Sequence, residues 1–253
     1  MEILFLGTGA ADFSESLNLD HSFGLNNKSV RKSSSALIDK EILIDCGPHT
    51  LSALKFYNVD VNRIKVLLIT HFHKDHFCLE NCSELLSVNP YIKIVYSKNQ
   101  TDFDIGINKQ GVLHGEEIEV CGYKILPLNA NHTANPLHYL IKGLDGKTLL
   151  YATDGAWMRT ETFNALRYAN LDGVVFDGTV GDYLGDFRMA EHNSIPMIRL
   201  MEKSLRTVEI INDKTKIILS HVAVTLNLLH EEEQKLLDKD GYLLAYDGLV
   251  MNI

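Results

Sequence analysis

Cysteine is scarce. Cys46, Cys78, Cys82 and Cys121 are the only four in 253 residues, too few and too scattered for a disulfide scaffold in a chain of this size. Long apolar runs are missing: nothing approaches the ~20 residues that cross a bilayer. The amino terminus carries Glu2 and a short apolar stretch, without the basic start of a secretory leader. A basic surplus is also missing. The 24 Lys and Arg stand against 33 Asp and Glu, for a formal charge of −9 and a pI near 5.6, which argues against a broad nucleic-acid-binding face. No linker, low-complexity tract or short-period repeat divides the chain. These absences point to one domain over residues 1–253 in a reducing cytoplasm. What is present is enough for a core, because 45% of the residues are apolar and the length allows substantial burial.

Short apolar runs bounded by turn residues predict strands at 1–6, 35–38, 41–45, 65–70, 92–96, 112–120, 123–131, 137–141, 148–153, 173–176, 216–220, 242–246 and 249–252. Helical periodicity predicts helices at 49–57, from His76 to a stop at Pro90, and at 158–168, 195–205 and 227–238. Strands come first, then strand-helix alternation, then a β-rich middle and alternation again. That order favours two sheets with helices outside both over one parallel sheet. Gly7-Thr8-Gly9 reads as a tight turn, since the spacing to a third glycine is wrong for a dinucleotide fingerprint. The polar segment 12–33 is long for a loop, and such loops are usually functional or mobile. Its Lys28, Arg31 and Lys32 read as solvated charges, with attraction of an anionic substrate as the alternative, and His21 as a surface residue. Cys78 and Cys82 stand at i, i+4 with no second pair nearby, which favours packing over metal binding.

The chemistry concentrates in Thr70-His71-Phe72-His73-Lys74-Asp75-His76. Three histidines and an aspartate within six residues follow the apolar run Lys65–Ile69. Imidazole nitrogen and carboxylate oxygen are the usual ligands of zinc and neighbouring first-row metals. Three further strands end alike: 125–131 runs into His132, 149–153 into Asp154, and 217–220 into His221. Any one of these taken alone reads as structural; together they read as seven ligands around two metals. His138 is either a hydrogen-bonding support to a ligand or a satisfied core histidine. His49, His114 and His230 read as surface or structural residues.

On these residues the sequence resembles the metallo-β-lactamase fold superfamily, whose signature His-x-His-x-Asp-His is here His71, His73, Asp75 and His76, with His132, Asp154 and His221 following in the family's order. The resemblance implies an α/β (α+β) four-layer αββα sandwich of two mixed sheets with helices on the outer faces. It implies one metal on His71, His73 and His132, a second on Asp75, His76 and His221, and Asp154 bridging them. Asp45 matches a family aspartate below the site that orients the ligand loop without being a ligand. The finer similarity is to the phosphodiesterase branch, which includes the phosphoribosyl cyclic phosphodiesterase of phosphonate breakdown and, more distantly, tRNA 3′-processing nucleases. It rests on Gly7-Thr8-Gly9, Arg31-Lys32-Ser33-Ser34-Ser35 and Phe176-Asp177-Gly178-Thr179. His192, in Ala190-Glu191-His192-Asn193-Ser194, matches the histidine that this branch places beside the metals.

Two departures matter. The cysteines that hold a separate structural metal in the cyclic phosphodiesterase are missing from 12–33, and there is no inserted basic arm of the tRNA-nuclease kind. The implied function is hydrolysis of a small cyclic or nucleotide-like phosphodiester by a hydroxide that bridges two divalent ions. His192 serves as general acid, and Asp75 is counted with it among the catalytic residues. Zinc is the default metal; the mixed nitrogen and oxygen set also suits manganese or iron. A small-molecule substrate is expected, with no membrane partner, nucleic acid not favoured, and homo-oligomerisation left open. Hydrolysis of a lactone or thioester, or a non-catalytic carrier role, are the alternatives. A di-iron oxidoreductase is disfavoured because that branch has glutamate where this chain has His73.

Overall fold

The computed structural model describes residues 1–12, 27–100, 108–133 and 135–253. The first sheet takes β1 (Glu2–Gly7), β2 (Ser35–Ile38), β3 (Ile42–Ile44), β4 (Val66–Leu68), β5 (Lys93–Ser97) and β6 (Lys109–Val112) in that order. The second runs backwards through the chain, from β13 (Leu243–Leu244) through β12 (Lys216–Ser220), β11 (Gly173–Asp177), β10 (Thr148–Ala152), β9 (Leu137–Lys142) and β8 (Tyr123–Asn129) to β7 (Ile118–Val120). The last strand, β14 (Val250–Asn252), returns to the first sheet and pairs antiparallel with β1.

Each sheet has an antiparallel part and a parallel part. In the first sheet β1, β2 and β3 are antiparallel, and β3 to β6 run parallel. In the second, β7 to β10 alternate in direction and β10 to β13 run parallel. The tight turn at Asp39-Lys40, both with positive φ, closes the β2–β3 hairpin.

The central strands are mostly apolar at successive positions because both faces of each sheet are covered there. The inner faces meet through Phe5, Ile44, Val66 and Leu68 on one side and Ile125, Tyr139, Tyr151 and Ile218 on the other. Alternate residues face outward. Leu43 and Leu67 pack with Ala53 and Leu54 of α1 (Thr50–Phe56) and Cys82 and Leu85 of α2 (Leu79–Val88). On the second sheet Leu150, Val174 and Leu219 pack outward among the residues that follow α3 (Thr160–Ala165) and the buried stripe of α4 (Ile195–Thr207). That stripe is Ile198, Met201 and Leu205, at helical spacing. Leu237, the last residue of α5 (His230–Leu237), joins the same cluster. The layers are therefore helix, sheet, sheet, helix.

Three expectations change. Residues 112–120 are not one strand: β6 ends at Val112, the chain turns through Gly115 at φ +81, and β7 starts at Ile118 in the other sheet. The apolar ends of this run look continuous in sequence because Val112, Ile118 and Val120 all reach the same inner core. The helix placed from His76 starts at Leu79, because residues up to Phe77 belong to the histidine loop, where His76 and Phe77 both donate to the His73 carbonyl. Arg31 and Lys32 are buried rather than solvated. Arg31 Nη1 donates to Thr8 Oγ1 and the Ala245 carbonyl at 2.7 Å each, and the Lys32 amide donates to Asp247 Oδ2. Lys28 lies over the Tyr246 ring, 4.4 Å from its centroid. Residues 13–26 of the long polar segment, His21 among them, lie outside the described residues.

Candidate metal centre

The strands β3, β4, β8, β10, β11 and β12 lead, at or just beyond their carboxyl ends, to Asp45, His71, His132, Asp154, Asp177 and His221. Such ends are where open α/β sheets bind ligands. Asp45, Asp154 and His221 have φ of +61, +53 and +57. Non-glycine residues seldom adopt this left-handed region, and its cost is tolerated most often at functional sites.

The seven residues expected around the metals come together in two groups. In each group one ligand atom per residue lies within 4.8 Å of the others: His71, His73 and His132 form one, Asp75, His76, Asp154 and His221 the other. Asp154 also reaches the first group, with Oδ2 3.2 Å from His71 Nε2. Its Oδ2 is 2.6 Å from His76 Nε2 and its Oδ1 3.2 Å from His221 Nε2.

The hydrogen-bond network fixes the tautomers, and the result tests whether these residues fit a metal. His76 Nδ1 donates to Asp45 Oδ2 at 2.7 Å. Thr179 Oγ1 donates to the His221 carbonyl, so it accepts from His221 Nδ1 at 2.8 Å. Thr70 Oγ1 donates to the Asp45 carboxylate, so it accepts from His71 Nδ1 at 3.1 Å. His132 Nδ1 donates to the Glu191 carbonyl at 3.2 Å. Four imidazoles thus commit their N–H to an oxygen and turn a bare Nε2 inward. His76 Nε2 faces His221 Nε2 at 3.1 Å, and His132 Nε2 faces His73 Nδ1 at 3.2 Å. His71 Nε2 and Asp154 Oδ1 are buried without a hydrogen-bond partner among the described residues. Opposed lone pairs at such distances repel unless a cation or a proton sits between them, and imidazole held by an oxygen on its far side is the usual arrangement of a metal ligand.

The titration behaviour agrees. Burial alone lowers His76, but Asp154, Asp75 and Asp45 outweigh it and carry it well above its ordinary value. Burial would raise Asp154, yet His221 and His76 hold it well below the usual carboxylate range. Protons are therefore the alternative tenants of the places a cation takes, and metal binding would release them.

Asp45 is fully buried and works from behind the ligands: it accepts from Thr70 N at 2.8 Å and orients His76. His138, in β9, is buried beside the turn after Asp154; a Cβ on Gly155 would come to 2.7 Å from its Nε2. Burial pushes it down to about 4, so it is neutral, and it lies near the Asp154 carbonyl without a well-formed hydrogen bond. His49 and His230 are buried, His49 against Ser33, and His114 Nδ1 accepts from the Asn129 amide.

His192 lies on the rim, two residues before Ser194, the N-cap of α4. Its ring stacks on His221 with centroids 5.7 Å apart. Its Nδ1 donates to Asp177 Oδ2 at 2.8 Å and is 3.3 Å from Asp154 Oδ1. Burial lowers His192, but the Asp177 carboxylate more than offsets this and carries it up to about 9. Asp177 is itself buried and also accepts from the Gly155 and Thr179 amides. Asp177 and Thr179 were not among the site residues expected from sequence. The available signals were that β11 ends in a carboxylate and that Phe176-Asp177-Gly178-Thr179 is one of the segments on which the resemblance rests.

A cavity of about 280 Å3 opens over this cluster, lined by Asp12, His73, Asp75, Arg188, Glu191 and His192 among others. A larger groove of about 400 Å3, beside Leu4, Lys40, Tyr57 and Arg63, contains none of these groups.

Residues 1–83 match the family model described as anti-Pycsar protein Apyc1. A stretch of 79 residues is 35% identical to the ribonuclease Z of Saccharolobus solfataricus; the match covers 30% of this chain and 22% of that protein's length. Among solved structures, a diphosphatase of the PhnP family superposes with a TM-score of 0.75 at 19% identity, over 100% of this chain and 97% of the other. Zinc-bound PqqB from Methylobacterium extorquens gives 0.76 at 16% identity over 100% of both chains. The chain has the metallo-β-lactamase fold.

Proposed function

We propose that this protein is a dinuclear metal-dependent hydrolase that cleaves a small cyclic or nucleotide-like phosphodiester. The observation that carries the reading is the set of inward-facing Nε2 lone pairs in two groups that share Asp154, with the Asp177–His192 pair beside them. The partial match to a ribonuclease Z and the superposition on a diphosphatase support phosphate ester chemistry. Zinc is the first candidate, in keeping with the zinc-bound neighbour; manganese and iron fit the same donors.

His71, His73 and His132 would hold one ion and Asp75, His76 and His221 the other, with Asp154 within reach of both groups. Bound there, two divalent ions supply a nucleophilic water at neutral pH and offset charge building on the phosphoryl oxygens. Asp45, Thr70 and Thr179 keep three ligand imidazoles in the metal-binding tautomer. Asp75, counted with His192 among the catalytic residues, lines the cavity wall as well as standing in the second group, and although burial would raise its carboxylate, His76 and His221 hold it ionised, far below the usual range. Asp177 holds the Nδ1 proton of His192, so the imidazolium donates its Nε2 proton to the departing alkoxide.

The cavity is small, which favours a small molecule over a tRNA. No helix among the described residues is long and apolar enough to cross a membrane, and four unpaired cysteines suit a reducing cytoplasm. A panel of a bis-aryl phosphate, 2′,3′-cyclic nucleotides, a ribose cyclic phosphate and aryl lactones tests the reading. Metal-dependent cleavage of the phosphodiesters is expected; turnover of the lactones alone would replace it.

A further inference from the structure

Arg188 plays no part in holding the metals, yet it lines the cavity above them. Its carbonyl accepts the His192 amide at 2.8 Å, so it is rigidly coupled to the acid on the rim. The Nε–Nη2 edge of the guanidinium is not free to grip an anion. Asp186, which caps the short 3-10 turn Phe187–Ala190, takes Arg188 Nε at 2.8 Å and Nη2 at 2.9 Å, one bond to each carboxylate oxygen. That pair occupies the forked edge Arg uses for phosphate or carboxylate and neutralises its charge. The Arg188 Cζ lies over the Phe187 ring, 5.1 Å from the centroid. What remains for a ligand is the other face and the Nη1 edge. The cavity's remaining walls include small or apolar side chains, Ala10, Ala11, Ala223 and Leu226. A flat cation whose charge is offset, in a cavity that also holds these small and apolar residues, suits a planar heteroaromatic ring better than a second phosphate.

We infer that Arg188 determines specificity by stacking the base of a nucleotide substrate, with Asp186 holding its guanidinium in plane. This rests on the phosphodiester reading and narrows it to substrates that carry a nucleobase. The cavity, at the low end of ligand-pocket volumes, has room for one nucleotide and not a polynucleotide.

The test compares ligands with and without a base. For wild type, Arg188→Ala and Arg188→Lys, KM is measured for a 2′,3′-cyclic nucleotide and for ribose cyclic phosphate. Calorimetry gives Kd for adenosine monophosphate and ribose phosphate on the zinc-loaded protein. The preference for the base-bearing ligand is expected to fall about tenfold in Arg188→Ala, and Arg188→Lys, which keeps the charge and loses the plane, should not restore it. An unchanged preference in a normally melting Arg188→Ala, or full restoration by lysine, would overturn the inference. If the alanine variant does not fold, Arg188→Met reads the same ratio. A wild type that cleaves none of the diesters would refute the phosphodiester reading alone, because the ratio of Kd values still decides the role of Arg188.

Discussion

Replacing Asp177 by asparagine isolates the proton-donating half of the site. The carboxylate Oδ2 accepts from His192 Nδ1 at 2.8 Å and from the Gly155 amide, and Oδ1 accepts from the Thr179 amide, so the near-isosteric amide removes the charge at the cost of the Thr179 bond. The amide oxygen keeps the bonds from Nδ1 and the Gly155 amide, both of which end on Oδ2, so Nδ1 keeps its proton. Without the carboxylate charge the second proton is no longer held, and the ring is a neutral imidazole with a bare Nε2. General acid catalysis is worth about 10²–10⁴-fold, and it matters in proportion to how poor the leaving group is. The expected result is a loss of about 10²–10⁴-fold in kcat for an alkyl or ribosyl leaving group, with a much smaller loss for a nitrophenyl phosphodiester.

The pH profile gives a second readout. Burial opposes the charged form of His192 and Asp177 outweighs it, up to about 9. The acid is present below that pH and lost as pH rises through it, so the alkaline limb for poor leaving groups should move down in Asp177→Asn. Bound cations lower the limb in both proteins; the difference between them is the quantity to measure. Equal losses on both leaving groups, or an unmoved limb, would refute this reasoning.

Thr179→Val removes the acceptor that fixes the His221 tautomer, and should weaken the metal on that side about 10–100-fold; titration with a competing chelator measures it, and unchanged affinity counts against the tautomer argument. Asp247 is fully buried, and burial outweighs the hydrogen bonds from Thr8 and Lys32 and the charge of Arg31 to push it up to about 6. A raised carboxyl contributes stability that is complete below its unfolded value and lost as pH rises through the folded one. Its contribution should fall by on the order of 2–3 kcal/mol between about pH 4 and 6. Urea unfolding of metal-free wild type and Asp247→Asn across that range should give a difference that shrinks as pH rises; a constant difference would contradict the assignment.

The ligand residues were legible because each follows an apolar strand, and period-2 burial leaves a strand end as the natural place for a side chain to leave the core. The two-sheet architecture was legible for the same reason: Leu67 and Leu68 are both apolar only if both faces of β4 are covered. The residues that make the site work were less visible. Asp177 and Thr179 stand in a segment that carries the resemblance, but their roles come from contacts with His192 and His221, 15 and 42 positions away. Arg188 looks in sequence like any charged surface residue; its meaning comes from Asp186 holding it over the cavity. Arg31 and Lys32 looked solvated because their composition is polar, while their burial depends on Asp247 and Ala245, more than 200 residues later.

The most direct measurement is anomalous diffraction from crystals of the metal-loaded protein. Two peaks are expected, one among His71, His73 and His132 and the other among Asp75, His76 and His221, with Asp154 between them. A folded protein that takes up metal and shows no peak at these groups, or a single peak elsewhere, would contradict the dinuclear centre.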